Sequence, residues 1–270
     1  MLTFFFMGMV TKAQITENRT VSGYSKVNVQ DGVQLIYEQN EKETLFIKAD
    51  NAETLENLVT EVKNGELKIY LIDKKKNDGK SIAVSLTTPG IHSFVVGTAA
   101  TITINSPLYT ENFNVDLSSG AEFRGSVIAN GKIIMNTTGK GTELNLRIES
   151  ESLEGSFKSY SRVNLCGKTE NATIYTSQNA LCAAKNLLAN KVTVAAEGSS
   201  IVFIHTKDKI NINVEDAAKV TYIGSPELFK WNENAYATNV GKGNNQKEVT
   251  VNYSNKRSSS KNCFNQEKSK

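Results

Sequence analysis

The middle of the chain repeats itself, and that constrains the fold more than any other feature. The stretches "GTAATITI", "SGAEFRGSV", "KGTELNLRI", "YSRVNLCG", "NALCAAKN", "SSIVFIHT" and "AAKVTYIG" each set a small or polar corner before a short alternating run. Counting from Ile102, equivalent apolar positions fall at Phe123, Leu144 and Val163, then near Leu181, Val202 and Val220. The steps are about 18–21 residues, shorter than helical-hairpin repeats or propeller blades and suited to one coil of a β-solenoid. A second series, Val115, Met135, Ile174, Val194 and Ile212, keeps the same spacing. Period-two alternation turns Leu144, Leu146 and Ile148 inward and Glu143, Asn145 and Arg147 to solvent. Stacking coils ~4.8 Å apart pairs the backbone groups along the axis, and each buried aliphatic side chain contributes roughly 1.5–3 kcal/mol. The expected fold is all-β, a parallel β-helix with one short helix in its N-terminal part.

One stretch invites a different reading. In "NTTGKGTELNLR", Gly139, Lys140, Gly141 and Thr142 gather the residue types of a phosphate-binding loop. Such a loop needs the GxxxxGK[ST] spacing, a buried strand before it and a helix after it. Here Gly141 stands where Ser or Thr should be, and a strand pattern follows. "TTGKGTEL" occupies the same place in its coil as "SSGAEFRG" and "AEGSSIVF" do in theirs. It reads as a solenoid corner, where glycine accepts positive φ at no steric cost.

Outside the repeat the pattern changes. Between residues 15 and 90, "YSKVNVQ", "GVQLIYEQ", "TLFIKAD", "ELKIYLI" and "IAVSLTT" alternate as strands and are expected to cover the N-terminal end of the stack. "NAETLENLVTEVKNG" carries Leu55, Leu58 and Val62 at helical spacing ahead of an Asn64-Gly65 turn, which predicts a helix starting near Asn51. "DKKKNDGK" at 73–80 reads as a solvated, charged hairpin tip. Repeated coils fill 91–225, and 226–253 reads as a C-terminal cap holding Phe229, Trp231 and Tyr236, with a sugar-stacking platform as the alternative. Residues 254–270 are too polar to order themselves. The domain expectation is thus one solenoid over 15–253.

The first 14 residues, an apolar run reaching a small residue at Ala13, read as a secretory signal peptide without the usual basic start. The run is about half the ~20 residues of a membrane span, and no cysteine lies near it to carry a lipid anchor. Secretion, the periplasm or the cell surface is the expected location. The three cysteines, Cys166, Cys182 and Cys263, make no disulfide framework. Cys166 and Cys182 could pair, but free buried thiols are the simpler reading. A formal charge of +3 gives no case for nucleic acid.

The order and spacing of "NAETLENLVTEVKNGELKIYL", the coils with "SSGAEFRG" and the closing "KVTYIGSPEL" resemble the family of putative auto-transporter adhesins with a head GIN domain, over residues 20 to 243. The resemblance implies a right-handed β-helix like that of pectate lyases, a secreted or envelope location and a role in adhesion. It carries over no catalytic set. Two departures stand out. "FKSYSRVN" and "TSQNALCA" lack the corner glycine, which would interrupt contacts that need identical corners. And no C-terminal stretch here is long enough for a membrane barrel.

Chemistry is sparse in the pattern. Glycoside hydrolysis needs facing carboxylates about 5–9.5 Å apart. Yet the outward Asp116 is followed one coil later by Asn136 and then Ser156, and Glu143 by Arg162. His92 and His205 are the only histidines and stand apart, so neither a zinc site nor a Ser-His nucleophile is indicated. Catalytic and metal-binding residues, and cofactors, are expected to be none. The binding expectation is polar sheet faces offered to glycans or proteins, with Thr101, Thr103, Asn145, Asn164 and Thr193 as candidate rows. A polysaccharide lyase or glycosidase is the alternative, and a structural envelope spacer the second. Ligand and oligomeric state are open at this point.

Overall fold

The computed structural model describes residues 14–77, 81–230 and 237–240. Its strands are β1 (Ile15–Arg19), β2 (Lys26–Val29), β3 (Gln34–Gln39) and β4 (Thr44–Ala49), then helix α1 (Ala52–Glu56), β5 (Leu58–Lys63), β6 (Glu66–Leu71) and β7 (Ile82–Thr88). The repeated part continues with β8 (Ser93–Val96), β9 (Thr101–Ile104), β10 (Leu108–Thr110), β11 (Phe113–Ser118), β12 (Glu122–Ala129) and β13 (Lys132–Thr138). Four long strands follow, β14 (Glu143–Lys158), β15 (Arg162–Thr176), β16 (Leu181–Ala196) and β17 (Ile201–Val214), before β18 (Lys219–Ile223), β19 (Glu227–Lys230) and β20 (Ala237–Asn239). Together they wind a β-solenoid of about seven turns with a single short helix.

Each coil carries two strand segments separated by a corner, so the coils build two parallel ladders. Ladder one runs β3, β9, β12, the first halves of β14 to β17, then β18. Ladder two runs β2, β8, β11, β13, the second halves of β14 to β17, then β19. In register, Leu35, Ile102, Phe123, Leu144, Val163, Cys182, Val202 and Val220 stack inside ladder one. Cys182, not Leu181, holds the sixth place: Leu181 pairs with the outward Arg162 and is half-buried. The second series is in register as expected, with Gly155 between Met135 and Ile174. A Cβ on Gly155 would lie 2.4 Å from Cζ of Phe157, so the glycine makes room for that fully buried ring. Phe94 binds the early coils together, its ring centroid 5.6 Å from Tyr37, 6.0 Å from Phe113 and 5.3 Å from Phe123.

The corners turn on positive φ. Thr98 and Ala99 (48° and 59°), Ser119 and Gly120 (54° and 78°), Ser159 and Tyr160 (54° and 64°), and Gln178 and Asn179 (50° and 63°) each form such a pair. The turn is closed by the N–H of a small buried residue: Ala100 to Gly97, Ala121 to Ser118, Ser161 to Lys158 and Ala180 to Ser177. A non-glycine residue there costs about 1–2 kcal/mol. Main-chain bonds between neighbouring corners offset it, such as Ala99 N to Ser119 O at 3.0 Å and Tyr160 N to Gln178 O at 2.9 Å. The loss of glycine at "SYSR" and "SQNA" therefore does not interrupt the corner stack itself. In "TTGKGTEL", Thr142 is buried; its hydroxyl donates to Thr138 O at 2.9 Å and accepts from Gly120 N at 3.1 Å, leaving it committed to the corner.

The N-terminal strands do cover the end of the stack, and chain order and spatial order part there. β6 and β7 flank β2 and β3 on the outer side, β4 and β1 extend ladder one antiparallel, and β5 extends ladder two antiparallel. Asn51 caps α1 as expected, its Oδ1 accepting from Thr54 N at 2.9 Å. The helix ends at Glu56, however, and Leu58 and Val62 lie in β5. Asn64 and Gly65 (φ 53° and 74°) form the hairpin turn that draws this β-branched segment onto β6, and strand pairing overrides the helical spacing. The 73–80 segment is more than a solvated tip: Lys74 Nζ lies 2.7 Å from Asp31 Oδ1, whose side chain is buried. Its residues 78–80 lie outside the described residues.

Cys182 is a free thiol that burial pushes up to about 12, so it does not pair with Cys166. Cys166 is buried but disulfide-bonded, which corrects the expectation of two free thiols. Cys263, residues 1–13 of the expected signal peptide and residues 254–270 lie outside the described residues.

Candidate binding faces

On ladder one the outward side chains come in stacked pairs: Thr101 and Thr103, Glu122 and Arg124, Glu143 and Asn145, Arg162 and Asn164. Asn164 Nδ2 donates to Asn145 Oδ1 at 2.7 Å, and Asn145 Nδ2 donates to Glu143 Oε1 at 3.1 Å. Arg124 is bonded to Glu122. The sequence reading placed Arg162 beside Glu143 correctly but missed Glu122 on its other side. The signal was present, since Glu122 precedes Glu143 by one coil length. Thr193 is not part of this group. It lies on ladder two between Thr173 and Asn211, accepting from Asn211 Nδ2 at 3.4 Å.

Ladder two carries the Asp116, Asn136, Ser156 column in the expected register. Asn136 Nδ2 donates to Asp116 Oδ1 at 2.7 Å, and Asn114 Nδ2 donates to Asp116 Oδ2 at 3.0 Å. This column lies in a hollow of about 440 Å³ lined also by Val95, Ser118, Thr138 and Lys158. Beyond Lys158 sits Tyr175, its ring centroid 5.2 Å from Lys158 Nζ, and a hydrogen bond to Glu197 raises the Tyr175 phenol above its ordinary pKa. A second hollow of about 290 Å³ continues along the same strands, lined by His92, Asn112, Asn114, Lys132 and Ile134.

His92 is exposed and its Nε2 lies 3.0 Å from Ser25 Oγ, a contact the sequence did not suggest; His205 is half-buried at the far end of ladder one. Among the described residues no group of three or more His, Cys, Asp or Glu side chains could hold a metal ion. Phe229 stands on an exposed strand, 43% exposed, with Lys209 Nζ 4.4 Å from its ring centroid. Trp231 and Tyr236 lie outside the described residues. No helix among the described residues is long and apolar enough to cross a membrane.

The family model described as "Putative auto-transporter adhesin, head GIN domain" matches residues 23–226. The chain belongs to this family. Solved structures share the fold at low sequence identity. One, called a putative adhesin from Parabacteroides merdae, is 17% identical with a TM-score of 0.73, covering 84% of this chain and 95% of that one. Another putative adhesin, from Parabacteroides distasonis, is 16% identical with a TM-score of 0.73, covering 85% and 95%. A third, called a putative lipid binding protein from Parabacteroides distasonis, is 20% identical with a TM-score of 0.70, covering 84% and 94%. At these identities the likeness shows the fold. Among curated proteins no match is found.

Proposed function

We propose that this chain is a non-catalytic, adhesin-like protein of the cell surface, periplasm or secreted fraction, offering its polar ladder faces to glycans or proteins. The observation that carries the reading is the bonding of outward side chains to one another. Asn164, Asn145 and Glu143 form one chain, and Asn136, Asp116 and Asn114 another. Rows locked in this way on a rigid frame lose little conformational freedom on binding. The carboxylates are occupied as well: Glu122 by Arg124, Glu143 by Asn145, Asp116 by two amides. Such groups are suited to holding a ligand rather than to cycling a proton. The family and the neighbours named putative adhesins support the same reading.

The test is a glycan and matrix-protein array run beside a polysaccharide panel assayed for reducing and unsaturated ends. Saturable binding without turnover is the expected result. Turnover would make the protein a lyase or glycosidase, and a blank on both would leave it a spacer.

A further inference from the structure

The binding reading names no ligand and no face. Resting on it, we infer that the pair of hollows on ladder two is a subsite for a neutral oligosaccharide, anchored by Asp116 and Asn136.

Four features point there. First, two open hollows of about 440 and 290 Å³ lie along the same strands, and Asn114, which lines the smaller, hydrogen-bonds Asp116 in the larger.

Second, the anchor has unused capacity. A carboxylate offers about four acceptor sites, and Asp116 uses one on each oxygen. Asn136 is exposed and donates a single N–H in doing so. An acceptor-only carboxylate beside an amide with a donor and an acceptor to spare matches the donor and acceptor pair of adjacent sugar hydroxyls.

Third, apolar side chains interleave with these polar ones. On strands whose outward positions are otherwise polar, Val95 pairs with Asp116, and Ile134 pairs with Asn114. Both apolar side chains are half-buried. The C–H face of a sugar ring needs such a surface between its hydroxyl contacts.

Fourth, the charges cancel. Lys132 is paired with Glu154, and the positive Lys158, held over Tyr175, balances Asp116. A hollow with no net formal charge selects neither an anionic nor a cationic chain.

The test titrates the isotope-labelled chain separately with maltohexaose, cellohexaose and mannohexaose, following backbone amide shifts. Saturable shifts confined to Val95, Asp116, Ile134, Asn136 and Ser156 with at least one of these probes are expected. Asp116→Ala should weaken that binding about tenfold or more. Ser156→Trp, which fills the hollow from the coil next to Asn136, should abolish it, and Lys219→Ala, an exposed side chain at the far end of ladder one, should leave it unchanged. Thermal melts confirm that each variant is folded. Binding that survives both ladder-two changes, or shifts that map to Asn145 and Asn164, would overturn the assignment while leaving the binding reading in place. So would tighter binding of a charged hyaluronan hexasaccharide, or no saturable shift with any of the three neutral probes. The binding reading itself stands or falls on the array.

Discussion

The segment from β1 to β7 and the coils from β8 to β18 are made of the same alternating strands but assembled by different rules. In the coils each rung lies on the next in parallel, so one position largely repeats the environment of the next, the register shifts of β16 aside. Gly167 shows how tight this is: a Cβ there would lie 1.9 Å from Ile148 O, at φ +110°. In the N-terminal part every strand has its own neighbours, three pairings are antiparallel, and single side chains hold the layer. Arg19 is one, its guanidinium donating to Glu17, Leu58 O and Thr60. Gly65, at φ +74°, has nothing within 4 Å of the position a Cβ would take. Repetition gives the coils strength and makes them brittle; the cap is tolerant because it is irregular.

The sharpest way to break this contrast is a pair of glycine changes. Gly167→Ala should cost more than about 4 kcal/mol or prevent folding, since backbone must move. Gly65→Ala should cost only about 1–2 kcal/mol, the strain of the left-handed conformation. Urea melts of the two variants decide it, and equal losses would end the distinction. Next in size, Phe94→Ala removes the ring shared by Tyr37, Phe113 and Phe123 and should cost about 3–5 kcal/mol in one cooperative transition. Two transitions in the melt would show that cap and coils unfold separately.

Alkaline pH probes the cap more gently. Burial pushes Tyr24 and Tyr37 up to about 12, above the ~10 of an unfolded tyrosine. A raised folded pKa stabilises fully below the unfolded value, so this contribution is present below pH ~10 and is lost as pH climbs toward 12. Tyr37→Phe should flatten the fall in stability between pH ~10 and 12, and an unchanged slope would count against it. Cys182 brings a loss of the same sign to the coils, over a window beginning near pH 9. Smallest of all, Asn51→Ala removes the α1 cap and should cost about 1 kcal/mol without altering the coils, as hydrogen exchange at Leu144 and Val163 would report.

These rules also decide what could be read from the sequence. The inward columns through Ile102 and Val115 were legible because each repeats one chemical demand many times. The position read as near Leu181 falls one residue on because two apolar residues adjoin there, and alternation alone could not choose Cys182. The cap was legible strand by strand but not in its order, because alternation tells a strand which face is apolar and not which strand lies beside it. Leu58 and Val62 satisfied a helical spacing that only pairing with β6 overrides. Of the ladder-two hollow, the Asp116, Asn136, Ser156 column could be followed by coil length. Val95 and Ile134 could not, since an apolar side chain on the outside of a strand looks in sequence like one on the inside.

The corner pairs have one more consequence. Because their left-handed backbone is fastened by amides of the neighbouring rung, no particular side chain is required at the bend, and Tyr160 projects into solvent where other coils carry glycine. The bends are thus interchangeable display positions along a fixed spine. Relatives could exchange what they show to their surroundings there while keeping the same skeleton.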